Sequence, residues 1–481
     1  MALANAIRPY IKPYIIYLTM NQYFYHIIVP NENTVRVRKL TPQLADKEQS
    51  TGRLNLAKIN DKIREIIKAP ANLKGGQITK VGEALFEALF DSQLREDFLA
   101  YYQEVVKKQQ QILAVILEIN EVAMPEVVAY PWELMCLPQK YNQGEIYFAT
   151  DRKLNFYRCR YQLEESEKLS ININEGEKLK IALVVSKPTA DSQLSNVEYQ
   201  EVQQYLKSID SQQEQVEFMP VMDGLNFYDI VERLEADKPD IFHFIGHGQL
   251  VDKEGEDVGQ VALVNELGEA DWKDARMFGQ FFSGHTPKVV ILQACETGKQ
   301  SETNAFSSVA SRLMLQGIPV VLAMQYKVSN QTAISFVKEF YAKIIEGNSV
   351  EIGVQKARFK LGIENGYDQR DFAIPVVYVN ALDGYLFLKE SNGKKNSFSN
   401  LTDAQKRKLR EEIERVLSED KLRTIFIEYE DKFGSNFYNQ ISGDNYRTRL
   451  IYLTRELNNR PLLDDFIEIV RYEYPNFAQD L

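Results

Sequence analysis

Ile241-Phe242-His243-Phe244-Ile245-Gly246-His247-Gly248 is the stretch on which the fold turns. An apolar run broken by one histidine stops at a glycine, a second histidine and another glycine. Residues apolar on successive positions belong to a strand covered on both faces, as in parallel sheets sandwiched by helices. A second run of this kind, Val289-Val290-Ile291-Leu292-Gln293-Ala294, leads directly into Cys295 and then Glu296-Thr297-Gly298.

Working outward, the runs at 181–185, 216–222, 320–324 and 374–379 predict further strands. Helical spacing at 199–206, 228–234 and 306–315, and twice across 331–362, fills the gaps between them. Strands alternating with helices predict an α/β fold, a mostly parallel sheet with helices on both faces. Upstream, Ile15-Ile16-Tyr17 and the run 24–29 read as short strands, and Ile59, Ile63, Ile66, Leu85, Leu89 and Phe98 mark a helical layer. The runs 112–119 and 153–160 predict a β-hairpin. Residues 1–165 are thus expected to be a strand and helix extension packed on a main domain at 166–388.

Residues 389–400, Lys-Glu-Ser-Asn-Gly-Lys-Lys-Asn-Ser-Phe-Ser-Asn, offer almost nothing to bury and read as a linker. Beyond it, Thr402 and Gln405 form a capping-box pattern ahead of Leu409, Ile413 and Val416. Leu422, Ile425 and Phe426, then Leu450, Leu453 and Leu457, then Leu463, Phe466 and Ile467 continue the theme, which predicts an all-α bundle over 401–481.

Composition narrows the function. Of 481 residues 44% are apolar, enough for ordinary cores, and 57 basic side chains face 68 acidic ones for a net charge of −11. The basic cluster at 406–410 is followed at once by Glu411 and Glu412, so no stripe for nucleic acid is expected. Cys136, Cys159 and Cys295 are too few and too far apart for a disulfide framework or a CxxC zinc site, and the acidic stretch Asp252, Glu254, Glu256, Asp257 does not fit a calcium loop. No metal or cofactor is implied. No apolar run reaches the roughly 18–20 residues needed to cross a bilayer, and a reducing cytoplasm is the expected compartment.

The chemistry gathers where the two central strands end. Groups just past the C-terminal ends of parallel strands share a crevice. There His247 and Cys295 can meet: an imidazole takes the thiol proton, the thiolate attacks a peptide carbonyl, and the histidine later protonates the leaving amine. Glycines beside both residues let a substrate backbone approach, and the backbone N–H groups of Gly248 and Cys295 are the expected oxyanion donors. His243 lies on the same strand face as His247 and is expected, with Gly246, to support the site as a hydrogen-bonded core residue. Cys136 and Cys159 are expected in the core, and Glu133 to satisfy a buried donor.

A Gln-Ala-Cys triplet about 50 residues after a histidine is a caspase signature, matched here by Gln293-Ala294-Cys295 and His247. The fuller pattern, His243-x-x-Gly246-His247-Gly248 with Ala294-Cys295-x-Thr297-Gly298, resembles the CHAT family of caspase-like cysteine peptidases. Pro131-Trp132-Glu133-Leu134, Gly317-Ile318-Pro319-Val320-Val321 and Phe372-Ala373-Ile374-Pro375-Val376 extend the likeness over most of 80–385, although relatives often carry Trp where Phe372 stands and an Asp near Asn330. The resemblance implies a caspase-hemoglobinase-like fold, a protein substrate, and a substrate groove including Met324, Gln325 and Tyr326. Residues 401–481, through Leu401-Thr402-x-x-Gln405, Gly443-Asp444-Asn445 and Tyr474-Pro475-Asn476, resemble the death-like effector-associated domains of bacterial conflict systems. That likeness implies a partner protein carrying a matching domain. The competing reading is a catalytically silent scaffold that works through its helical domain alone.

Overall fold

The computed structural model of the protein describes residues 23–41, 44–68, 73–142, 144–162, 168–174, 176–191, 194, 199–253, 256–294, 305–381, 383–387, 402–429, 433, 437–443, 445–459, 462–463, 466–467, 469–470, 474 and 477. The expected strand at Ile15-Ile16-Tyr17 lies outside them, as does Cys295. The chain divides into two compact units, Met1–Leu388 and Lys389–Leu481.

In the first unit, twelve strands of the described residues form one sheet. From one edge to the other it runs Met222–Asp223, Leu179–Val185, Ile241–Gly246, Val289–Ala294, Val320–Met324, Pro375–Val379, Leu154–Cys159, Leu113–Ile119, Tyr23–Asn31, Thr34–Thr41 and Leu44–Gly52, with Val216–Phe218 also paired to Leu179–Val185. The four strands from Leu179–Val185 to Val320–Met324 are mutually parallel. Pro375–Val379 pairs antiparallel with Val320–Met324 and parallel with Leu154–Cys159. Two parallel blocks of opposite direction therefore meet at this antiparallel seam, and Thr34–Thr41 and Leu44–Gly52 add an antiparallel edge beyond Tyr23–Asn31.

Alternation along Ile241–Gly246 explains the layers. Phe242 and Phe244 meet Phe278 at 6.1 and 5.5 Å between ring centroids, on the side of helix Ala305–Leu315. His243 points the other way, to Tyr341 of helix Asn330–Ile345. Side chains alternate across a strand, so both faces of this one are covered and every residue in it is buried.

The strands Leu113–Ile119 and Leu154–Cys159 are parallel, from Leu113 opposite Leu154 to Glu118 opposite Cys159, and not the hairpin that their sequence suggests. The segment 120–153 is long enough to cross over, carrying the short helix Pro125–Val128 and the turn Trp132–Leu134. Strands on both sides of residue 165 share the one sheet. The excursion after His247 forms a separate antiparallel sheet, Gly248–Lys253, Glu256–Val264 and Ala270–Asp274.

Beneath the sheet lies a buried ion network. Glu133 of the Trp132–Leu134 turn accepts from Arg158 Nε at 2.9 Å and forms a second contact with Arg158 Nη2. Arg158 also donates to the carbonyls of Val128 and Tyr130, and Gln325 Nε2 donates to Glu133 at 3.0 Å. Burial opposes the charge of Arg158, but Glu133 more than offsets it and holds the guanidinium above its ordinary range. The same burial drives Arg358, whose Nη2 is 3.8 Å from Glu133, down to about 10. Arg358 donates to the Pro375 and Phe156 carbonyls, which ties strand Pro375–Val379 to its parallel neighbour Leu154–Cys159.

The second unit contains helices Asp403–Val416, Glu419–Glu428 and Tyr446–Asn459 around an apolar cluster that includes Leu409, Ile413, Phe426, Leu453 and Phe466. Thr402 and Gln405 form the reciprocal capping box, with Gln405 N–H to Thr402 Oγ1 at 3.3 Å and Thr402 N–H to Gln405 Oε1 at 3.0 Å. Gly443 has φ of 144°, and a Cβ there would lie 2.6 Å from the Arg449 nitrogen, so the approach to helix Tyr446–Asn459 requires glycine.

Candidate active site at the strand tips

The parallel ladder between Ile241–Gly246 and Val289–Ala294 ends at the pair Gly246–Ala294. The next residues in the sequence are His247 and Cys295. Parallel neighbours are about 4.8 Å apart, so the two strands run side by side up to the last described pair, one position before each of these residues. Cys295 itself, and the N–H it would offer an oxyanion, fall outside the described residues.

His247 is fully buried. Its carbonyl accepts the Ala262 N–H at 2.9 Å, which fixes its backbone between the large sheet and the three-stranded one. Its Nε2 lies 2.9 Å from the Leu194 carbonyl oxygen. A carbonyl only accepts, so Nε2 carries the hydrogen, and a neutral ring then has its lone pair on Nδ1. Leu194 therefore sets which ring nitrogen can take a proton.

The two flanking glycines are tightly enclosed. A Cβ on Gly246 would lie 2.8 Å from the Phe244 ring, and one on Gly248 would lie 3.0 Å from the ring of Phe306 at the start of helix Ala305–Leu315. Close packing thus explains both glycines, alongside any substrate they admit.

His243 is buried between two partners, with Nε2 3.2 Å from Gln293 Oε1 and Nδ1 3.2 Å from Tyr341 Oη. The amide oxygen accepts from Nε2–H, which leaves Nδ1 to accept from the tyrosine. Burial lowers its pKa to about 4, with the Gln293 contact opposing, so the ring is neutral at physiological pH. Since Gln293 precedes Cys295 by two residues, His243 braces the strand that ends there.

Met324, Gln325 and Tyr326, named for the substrate groove, are all buried. The Gln325 side chain is committed to Glu133 and the Ala373 carbonyl, and the Tyr326 ring is covered by the Arg370 guanidinium at 4.7 Å. Sequence reasoning expected Glu133 to satisfy a buried donor, as it does, but named none of its partners, because Glu133, Arg158, Gln325 and Arg370 are far apart in the chain. The one local signal was a charged residue set inside each of two apolar stretches, Trp132-Glu133-Leu134 and Phe156-Tyr157-Arg158. Cys136 is buried, and Cys159 is half-buried beside His26 and Glu118.

Residues 79–372, more than half of the chain, match the family model described as CHAT domain. The protein belongs to the CHAT domain family. The matched region of this CHAT protein holds both strand tips and ends just before strand Pro375–Val379. Among solved structures it is similar to a chain of the Saccharomyces cerevisiae separase–securin complex, at 13% identity over 80% of this chain and 32% of that one, with a TM-score of 0.44. A second structure of that complex gives 11% identity, 76% and 30% coverage, and a TM-score of 0.41. The complex of Porphyromonas gingivalis RgpB pro- and mature domains gives 13% identity, 68% and 78% coverage, and a TM-score of 0.40. The CHAT protein spans about a third of the length of the separase-complex chains it matches. No curated protein matches it. Among its described residues no helix is long and apolar enough to cross a membrane.

Proposed function

We propose that this CHAT protein is a cysteine endopeptidase with His247 and Cys295 as its catalytic pair. The supporting observation is the register: the parallel pair Gly246–Ala294 immediately precedes both residues. The Cys295 thiol gives its proton to Nδ1 of His247, while Nε2–H stays bonded to Leu194. The thiolate attacks the scissile carbonyl carbon, and the N–H groups of Gly248 and Cys295 receive the oxyanion. As the C–N bond breaks, the imidazolium returns its proton to the leaving amine. Water, deprotonated by the same ring, then cleaves the acyl-enzyme. The helical unit after residue 388 recruits or activates the enzyme by pairing with a like domain on a partner protein, in a bacterial defence pathway in the cytoplasm.

A thiol-directed peptide ketone tests the reading on the full chain, alone and with candidate partners carrying a similar helical domain. Labelling at Cys295 that His247→Ala weakens, and that Cys295→Ala abolishes without loss of partner binding, supports the peptidase. Partner binding with no labelling of Cys295 in any mixture identifies a scaffold instead.

A further inference from the structure

The half of the sheet beyond the antiparallel seam carries a cluster that the proposed peptidase does not use. Tyr23–Asn31, Leu113–Ile119 and Leu154–Cys159 are consecutive parallel strands, with Ile28 opposite Glu118 and Glu118 opposite Cys159. Tyr25 points to one face, against Phe98 at 5.2 Å. Its neighbour His26 points to the other face, where it meets Glu118 and Cys159.

His26 Nε2 lies 2.8 Å from Glu118 Oε2 and 3.8 Å from Cys159 Sγ, and the sulfur lies 3.9 Å from the same carboxylate oxygen. One ring nitrogen therefore faces both the acid and the thiol. A proton relay needs the two partners on different nitrogens, so this is no catalytic triad. Three donor atoms around one point are instead the arrangement of ligands around a metal ion. With Zn–S of about 2.3 Å, Zn–N of about 2.0 Å and Zn–O of about 2.0–2.2 Å at tetrahedral angles, ligands stand roughly 3.4–3.6 Å apart. Opening the nitrogen–oxygen separation by about 0.6 Å and closing the two sulfur distances by about 0.3 Å turns the observed triangle into that face.

We propose that His26, Glu118 and Cys159 bind a zinc ion. Nitrogen, sulfur and carboxylate donors together select a borderline-soft transition metal over calcium or magnesium. The positive charges of Arg38 and Lys168, which act on Glu118 and Cys159, disfavour any cation held by charge alone. Thiolate and carboxylate neutralise a divalent ion. The fourth position falls to water. Because each ligand sits on a paired strand, the ion pins three strands across one face.

The test uses the full chain carrying Cys295→Ala, so that the strand-tip thiol cannot bind metal, stripped with a chelator and titrated with Co²⁺ and then Zn²⁺. One equivalent per chain is expected, with a thiolate-to-cobalt charge-transfer band in the near ultraviolet that zinc abolishes. Cys159→Ser should remove the band and Cys136→Ser should leave it. Glu118→Gln, which keeps the side chain's shape, should weaken binding by about tenfold or more, with its fold checked by circular dichroism. A missing band, a band that survives Cys159→Ser, or unchanged affinity in folded Glu118→Gln overturns the site.

Discussion

His243 and Gln293 face each other across neighbouring parallel strands, Nε2 to Oε1 at 3.2 Å, with Tyr341 closing the other side of the ring. The pKa of about 4 means that the native state refuses a proton that the unfolded chain accepts from about 6.5 downward. A folded pKa below the unfolded one gives stability that is present above pH 6.5 and lost as the pH falls through 4. By the usual conversion the loss reaches about 3 kcal/mol. In urea titrations between pH 7 and pH 4, His243→Gln should flatten the decline seen in the parent. An equal slope in both proteins would show that this ring does not govern it.

Glu133 and Arg158 are expected to fail separately more than together. Arg158→Met leaves a buried carboxylate short of its main partner, and Glu133→Gln leaves two buried guanidiniums; each should cost about 3–5 kcal/mol. The double variant should lose less than the sum of the two. Chemical denaturation of all four proteins measures the coupling, and simple additivity would mean that the pair does not act as a unit.

Glu351 has the opposite pH sign. Ser349 Oγ donates to its Oε1 at 2.6 Å, but its Oε2 has no partner among the described residues. Burial raises its pKa from 4.5 to about 6. The native state thus binds the proton more readily, and stability falls as the pH rises from 4.5 through 6. Glu351→Gln should be more stable than the parent at pH 7 by up to about 2 kcal/mol, and this advantage should vanish below pH 4.5. A constant difference across that window would argue for a packing effect in place of ionisation.

Thr402 caps the first helix of the second unit, so Thr402→Ala should destabilise that unit by about 1 kcal/mol. Thr402→Ser should restore most of the loss. Scanning calorimetry of the full chain is expected to move the transition of residues 389–481 and to leave that of the larger unit in place. A shift in the larger unit's transition alone would contradict the assignment.

Much of the architecture was readable because its physical cause is local. The runs at 289–292 and 320–324 are apolar at every step, and that at 241–245 is broken only by His243, since helices cover both faces, and they stand as parallel neighbours in the sheet. The pair 112–119 and 153–160 was equally clear as strands, yet not in direction, because a period of two is the same for a hairpin and a crossover. At the strand tips, the order Gly246-His247-Gly248 and Ala294-Cys295 is written in the chain, but the Leu194 carbonyl that sets the His247 tautomer is not.

By itself, then, the sequence determined which segments are buried strands, where Thr402 starts a helix, and which two residues follow the central strand ends. Only the tertiary structure decided that the first strands complete the same sheet, that Glu133 finds Arg158 and Gln325, and that His26, Glu118 and Cys159 stand on one face. Strand and cap signals act over a few residues, through side-chain period and local hydrogen bonds. Partners on different strands are set by register and crossover, which no short stretch of chain encodes.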